Sequence, residues 1–279
     1  MTNHAITATE QVAQATLFRT LHTGDQPLVL VNAWDAASAG IVAAAGARAV
    51  ATTSAGVAWS LGTPDGDTLD RDAAVALVRR VADAVTVPVS ADIESGYGAT
   101  PDDVAETIRA VLAAGAVGVN LEDAWHGGSA PLREVADQCA RIAAARAAAD
   151  ATGVPLFLNA RIDTYLGGGA DLTETLERAG AYLAAGADGI FVPGVVDPET
   201  IGTLVKEISA PVNVMAGPGA PPVRVLADLG VARVSLGSAV AQAAYAVARR
   251  AAQEAFGAGT YDSLTDALDY PELNGLLRR

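Results

Sequence analysis

The sequence predicts an α/β protein, a closed (β/α)8 TIM barrel, and three observations carry that prediction. Eight short apolar runs alternate with amphipathic segments along 279 residues, a length common for this barrel. The junctions leading into the runs alternate in type. Polar residues collect at the carboxyl ends of the runs, where a barrel keeps its active site.

The runs cover residues 28–34, 48–53, 88–92, 116–122, 155–161, 187–193, 211–215 and 232–237. Their near-continuous apolarity fits parallel strands covered on both faces. Strands three, five and seven are entered through Pro88, Pro155 and Pro211. Strands two, four, six and eight follow Gly46, Gly115, Gly186 and Gly230, each ending a helix. Proline is tolerated at the first residue of a strand, and glycine takes the left-handed conformation of a helix cap. An open doubly wound sheet is the alternative architecture. The turn after its first strand is usually a glycine-rich phosphate loop, whereas here it reads Trp34-Asp35-Ala36-Ala37-Ser38.

Between the strands the helix signals are local. A first helix precedes Leu28, with Val12, Leu17, Phe18 and Leu21 apolar, and is expected to plug the bottom of the barrel. The segment SAGVAWSLGTPDGD after strand two reads as a loop bearing Gly56, Gly62 and Asp65. Thr100 supplies an N-cap, Pro101 the first helical position and Asp102 and Asp103 first-turn acids. Val104, Ile108, Val111 and Leu112 follow at helical spacing. Asp171 and Glu174 form a capping-box pattern, with Leu172, Leu176, Ala179 and Leu183 as the buried stripe. Asp197-Pro198 opens a helix that turns Ile201, Leu204, Val205 and Ile208 to the sheet. The tail 260–270 reads as a further helix. Residues 1–279 read as one domain.

Composition removes several chemistries. Lys206 is the only lysine and lies in a helical pattern, so a Schiff-base or pyridoxal mechanism lacks its amine. Cys139 is the only cysteine, which excludes a disulfide framework and a thiolate zinc site. The histidines, His4, His22 and His126, are scattered. Any metal must therefore use oxygen ligands, hence Mg²⁺, Mn²⁺ or Ca²⁺. A net charge of −14 argues against nucleic acid. No signal-peptide pattern or membrane-length apolar run is visible, so a soluble cytoplasmic protein is expected.

Asp92 and Glu94 end strand three, Asn120 and Glu122 strand four, and Asn159 and Arg161 strand five. Side chains two apart on a strand share a face. If these positions face inward, three carboxylates converge beside one guanidinium. Like charges so close call for a cation, and Mg²⁺ with one or two direct carboxylates fits. A buried salt-bridge network with Arg161 is the alternative. Thr52, Thr53 and Ser54 follow strand two, Asn213 lies in strand seven and Ser235 in strand eight. The run at 216–222 and Gly237-Ser238 occupy phosphate-cradle positions but carry no basic residue. His126, just after Asp123, is placed to be a proton donor.

VNAWDAASA, TTSAG, SLGTPDG, DIESGYG, NLED and NARID, in this order, resemble the isocitrate lyase / phosphoenolpyruvate mutase superfamily from about Leu28 to Phe256. The resemblance implies a (β/α)8 barrel whose eighth helix is swapped between subunits of a homodimer or homotetramer. It also implies an α-oxo acid or its enolate held on Mg²⁺, with Mn²⁺ as the substitute. By position, Asp92 would bind the metal directly, Glu94 and Glu122 would hold metal-bound waters, and Asp65 would be a further acid. Arg161 would grip the substrate carboxylate, with Thr53, Ser54 and Ala55 cradling it and Asn213 beside it.

Three departures refine the expected activity. The lyases carry a K-[KR]-C-G-H loop after strand four, whereas this chain has EDAWHGGSAPL. The mutases and phosphonopyruvate hydrolases carry E-D-K, and Ala124 replaces that lysine. Pro193-Gly194 stands where a Glu or His often follows strand six. The expected reaction is C–C cleavage needing no dedicated relay, such as oxaloacetate decarboxylation, or a related lyase reaction. Glu122, Arg161 and His126 are its catalytic candidates. P–C chemistry, or lyase action on a substituted malate or citrate with His126 or Tyr97 as acid/base, and a non-catalytic oxo-acid binder are the alternatives.

Overall fold

The computed structural model describes residues 6–128, 131–166 and 169–278; His4 lies outside them. Eight strands form one sheet: β1 (Leu28–Leu30), β2 (Val50–Ala51), β3 (Val89–Asp92), β4 (Gly118–Glu122), β5 (Phe157–Arg161), β6 (Gly189–Val192), β7 (Val212–Met215) and β8 (Arg233–Ser235). Each is paired in parallel with its sequence neighbour from β2 to β8, and β8 pairs with β1. A parallel bridge between Ala33 and Thr52 closes the circle between β1 and β2. The structure is thus the closed barrel, not the open sheet. The strands are shorter than the apolar runs because the flanking residues leave the ladder for loops and helix caps.

The helices alternate with the strands. α1 (Ala8–Thr20) precedes β1, α2 (Ala36–Ala44) follows it, and α3 (Ser54–Ser60) and α4 (Arg71–Ala84) both lie between β2 and β3. Next come α5 (Pro101–Ala113), α6 (Val135–Asp150), α7 (Leu172–Ala184), α8 (Pro198–Glu207), α9 (Val223–Asp228) and α10 (Ala239–Gly257). Gly46, Gly115, Gly186 and Gly230 all have positive φ, so the alternating junctions are realised as helix caps. Thr100 forms the full capping box with Asp103. Asp35 does the same with Ser38, which commits that carboxylate to a cap.

Some local expectations need correction. The first half of the loop after strand two is helical, as α3. In α1, Phe18 and Leu21 are buried but Val12 and Leu17 are exposed, because one narrow stripe suffices to cover the barrel floor. On α7 the most buried residues are Thr175, Ala179 and Tyr182, with Leu172, Leu176 and Leu183 half-buried around them. Asp171 caps the Glu174 N–H, but the reciprocal bond of a capping box is not formed. Segment 260–270 holds only a 3-10 turn, Asp262–Leu264; the last helix, α11 (Tyr270–Leu276), begins where that segment ends. No helix among the described residues is long and apolar enough to cross a membrane.

Register decides which side chains fill the barrel. Glu122 pairs with Arg161, Asp92 with Asn120, and Asn120 with Asn159. Paired residues on parallel strands share a face, so the carboxylates and Arg161 all point inward. Beneath them on the same strands lie Ser90, Asn120 and Asn159, joined from the far side by Asn213, Arg233 and Ser235. All six are buried. Barrels usually fill this space with Val, Ile and Leu.

Candidate active site

Asp92 ends β3. Its Oδ2 accepts the Ser54 N–H at 3.1 Å, and its own N–H donates to Thr52 Oγ1 at 2.8 Å. Two residues on, Glu94 Oε2 accepts the N–H groups of Gly66, at 3.1 Å, and Asp67. The second oxygens, Asp92 Oδ1 and Glu94 Oε1, are shielded from solvent and have no hydrogen-bond partner in the structure.

The loop that aims Glu94 is conformationally unusual. Glu94, Tyr97 and Asp67 have φ of 49°, 52° and 56°, a region that costs a non-glycine residue on the order of 1–3 kcal/mol. Surrounding bonds hold it there. Ser95 donates through N–H and Oγ to the two oxygens of Asp67, at 3.2 and 2.5 Å. Arg141, fully buried on α6, donates to the carbonyls of Ser95, Gly98 and Ala99.

Glu122 ends β4 and is committed to two partners. Oε1 meets His126 Nε2 at 3.0 Å, and Oε2 meets Arg161 Nη1 at 2.5 Å. Arg161 is also gripped by Asp163 through a two-pronged fork, Nε to Oδ1 at 2.7 Å and Nη2 to Oδ2 at 2.8 Å. Asp163 is itself anchored, because its N–H donates to Asp123 Oδ1 at 3.0 Å. The other oxygen of Asp123 accepts from Tyr182 at 2.9 Å and Arg178 at 3.3 Å, both on α7. A helix on the outside of the barrel therefore sets the angle of the guanidinium inside it.

Electrostatics follow the burial. Burial raises Asp92 above the usual carboxylate range, with Arg161 working against it. Burial pushes Glu94 up to about 7, aided by the charges of Asp67, Asp65 and Asp92 and opposed by the Asp67 N–H. Glu122 is raised by burial despite Arg161 and His126. His126 is raised by its hydrogen bond to Glu122, so its imidazole holds a proton more tightly than usual. Burial works against the charge of Arg161, but Glu122, Asp163 and Asp92 outweigh it and keep the guanidinium charged. Burial lifts the Tyr97 phenol well above its usual range, so it is a neutral hydroxyl rather than a ready base.

The remaining expected positions are dispersed around this centre. Thr53, Ser54 and Ala55 are buried at the start of α3, where the Thr53 side chain makes no cap and Asp92 takes the Ser54 N–H instead. Asp65 is exposed and touches neither Asp92 nor Glu94, though its charge acts on both. Asn213 lies inside the barrel, its Oδ1 accepting from Ser235 at 3.2 Å. After β4, Ala124 is bridged antiparallel to Leu132 and the Trp125 N–H donates to the Pro131 carbonyl. These bonds flank His126, which meets Glu122.

Among the described residues no three His, Cys, Asp or Glu side chains are close enough to enclose a metal directly. The free donors are hard oxygens, Asp92 Oδ1 and Glu94 Oε1. This set suits a Mg²⁺ that keeps several waters; Glu122 is already taken up by Arg161 and His126. Two participants, Asp67 and Arg233, are not among the residues that the sequence singles out. Asp163, two residues past Arg161, falls with it at the end of strand five. Arg233 was hidden in an apolar run.

The model of the family described as phosphoenolpyruvate phosphomutase matches residues 18–256. The chain belongs to this family, within the isocitrate lyase / phosphoenolpyruvate mutase superfamily. It is 40% identical over 262 residues to the uncharacterized protein Rv1998c of Mycobacterium tuberculosis, covering 93% of this chain and 95% of that one. It is 29% identical over 262 residues to 2-methylisocitrate lyase of Escherichia coli, covering 90% and 87%. A crystal structure from Burkholderia cenocepacia J2315, provisionally described as a lyase/mutase, superimposes with a TM-score of 0.91. It is 42% identical, covering 95% of this chain and 96% of that one.

Proposed function

We propose that this chain is a Mg²⁺-dependent carbon–carbon lyase acting on a small α-oxo acid, with oxaloacetate decarboxylation as its simplest reaction. The observation that carries the reading is the pairing of two unpartnered, inward carboxylate oxygens with a pre-oriented Arg161. The lyase relatives support C–C chemistry, and the segment after β4 holds neither cysteine nor lysine. Mn²⁺ would serve in place of Mg²⁺.

Asp92 and Glu94 would hold the cation, with Asp65 and Glu122 acting through its waters. When bound, it would supply a Lewis acid for the oxo acid's oxygens. Arg161 grips the substrate carboxylate, and Asp163 keeps the guanidinium plane fixed. At the start of α3, Thr53, Ser54 and Ala55 would border the same carboxylate, with the Ala55 N–H turned to it, since those of Thr53 and Ser54 already donate to the Ala33 carbonyl and Asp92 Oδ2. His126 carries a proton at Nε2, stabilised by Glu122. In decarboxylation the C–C bond breaks toward the remaining carbon, CO₂ leaves, and His126 or water returns one proton to give pyruvate.

The long helix α10 bears on quaternary structure. Of its 19 residues only Ala241 is buried, and Tyr245, Val247 and Phe256 are exposed. This supports a homo-oligomer in which a second copy covers that face, as the superfamily resemblance implies. We place the protein in the cytoplasm, in keeping with its lone unpaired thiol.

The test is release of pyruvate from oxaloacetate, phosphonopyruvate and methylisocitrate and of glyoxylate from isocitrate, with Mg²⁺ or chelator, and with Asp92→Ala as control. Release from oxaloacetate or a citrate-type substrate, lost with chelator and in the variant, is expected. Release from phosphonopyruvate alone would replace the C–C reading with P–C chemistry. Silence across the panel with oxalate still bound would mean either a different oxo-acid substrate or a protein that binds without turnover.

A further inference from the structure

Arg233 is the first residue of β8, pairs in register with Asn213 and Leu28, and faces the barrel interior. Its side chain is fully buried. Nη2 donates to Asn120 Oδ1 at 3.2 Å and Nε to Ser235 Oγ at 3.3 Å, while Nη1 has no partner. Among the described residues no carboxylate lies within ion-pair distance of it. A buried guanidinium without a carboxylate is expensive, so its retention needs a reason beyond packing.

The guanidinium lies beneath the acidic centre. Asn120, which it holds, is the register partner of Asp92, and Asn120 also accepts from Asn159 at 2.9 Å. Asp92 is the carboxylate whose charge it feels. The unpartnered atoms around it, Asn213 Nδ2, Ser90 Oγ and Asn159 Oδ1, make this floor polar but give it no compensating anion.

We infer that Arg233 is a positioning residue of the active site: from below, its uncompensated charge and its bond to Asn120 bias the cation-loaded centre toward a dianionic ligand. The inference rests on the proposed function, since it concerns the ligand that the loaded site takes. Arg161 contacts the ligand from the rim, while Arg233 acts through Asn120 and through its field. The ligand class is accordingly a planar oxo acid bearing two negative charges in its bound form, for which oxalate is the probe.

A field and a packing role predict opposite patterns. Removing a nearby positive charge strengthens cation binding and weakens anion binding, on the order of tenfold each. Loss of packing weakens both. The experiment is calorimetric titration of Mn²⁺ alone, then of oxalate into the Mn²⁺-saturated protein, for wild type, Arg233→Met and Arg233→Lys. The expected result is Mn²⁺ affinity equal or up to about tenfold higher in Arg233→Met, oxalate affinity about tenfold lower, and oxalate binding largely restored in Arg233→Lys. Unchanged oxalate affinity in Arg233→Met, or parallel loss of both ligands, overturns the inference. If Arg233→Met does not fold, Arg233→Lys and Arg233→Gln still decide: the lysine variant must bind oxalate more tightly than the glutamine variant, and equality overturns the inference. Failure of the wild type to bind Mn²⁺ and oxalate would instead overturn the proposed function.

Discussion

The two ends of the barrel solve burial differently. At the amino end Asp188 accepts from Arg19 at 2.5 Å, from Arg146 and from the Leu158 N–H at 2.8 Å, tying α1 and α6 to the strands. Phe18, His22 and Phe157 pack ring on ring there, with His22 stacked on Phe157 at 3.9 Å. Burial, with the charges of Arg233 and Arg19 adding to it, drops His22 to about 3, so it packs as a neutral ring. At the carboxyl end two acid oxygens have no partner and three non-glycine residues sit at positive φ. One end closes the fold. The other stores unmet charge and backbone strain, which a ligand can relieve.

The largest expected effect that separates the ends is on stability. Phe18→Ala empties the floor and should cost about 3–5 kcal/mol in urea unfolding, with Mn²⁺ affinity in the folded protein unchanged. A parallel fall in Mn²⁺ binding would show that the ends are mechanically coupled. Asp92→Ala should do the reverse: Mn²⁺ affinity falls at least about a hundredfold, while the melting temperature of the metal-free protein holds or rises, because a buried carboxylate oxygen without a partner is gone. A lower melting temperature with intact Mn²⁺ binding would make Asp92 a structural acid.

Asp163→Asn sharpens the picture within the carboxyl end. It removes the charge from the fork that orients Arg161, so oxalate affinity should fall about tenfold with little change for Mn²⁺. Equal losses for both ligands would mean that Asp163 supports the whole mouth. The smallest expected effect is in pH. Glu94 rises from its usual value to about 7 in the fold, so the native state binds more protons than the unfolded one between those values. Its contribution therefore weakens the metal-free protein as pH rises through that window. Glu94→Gln should flatten this slope between pH 4.5 and about 7. In the wild type, Mn²⁺ affinity should fall as pH drops below about 7, because cation and proton compete for one carboxylate. A pH-independent Mn²⁺ affinity would remove Glu94 from the cation's surroundings.

The charged centre was legible in the sequence because β-strands alternate faces. Asp92 with Glu94, Asn120 with Glu122, and Asn159 with Arg161 are spaced by two; register turned Asp92 and the latter two pairs inward, whereas Glu94 lies past the end of β3 and is aimed by a left-handed turn. What could not be read was how each group is engaged. Glu122 is taken by Arg161 and His126, next to the bridge that joins Ala124 to Leu132. Arg233 was hidden because one arginine among apolar neighbours reads as a strand end at the surface. Only barrel closure, through the pairing of β8 with β1, turns it inside.

The sequence by itself determined the barrel, its helix caps and the inward acids. These depend on periodicity, proline and glycine chemistry, and residue order, all local properties of the chain. Tertiary structure alone decided which oxygens were left without partners, which guanidinium faced the mouth and which lay beneath it, and how far burial raised each acid. Those depend on distances between residues far apart in the chain and on the exclusion of water around them. Neither exists until the eight strands close.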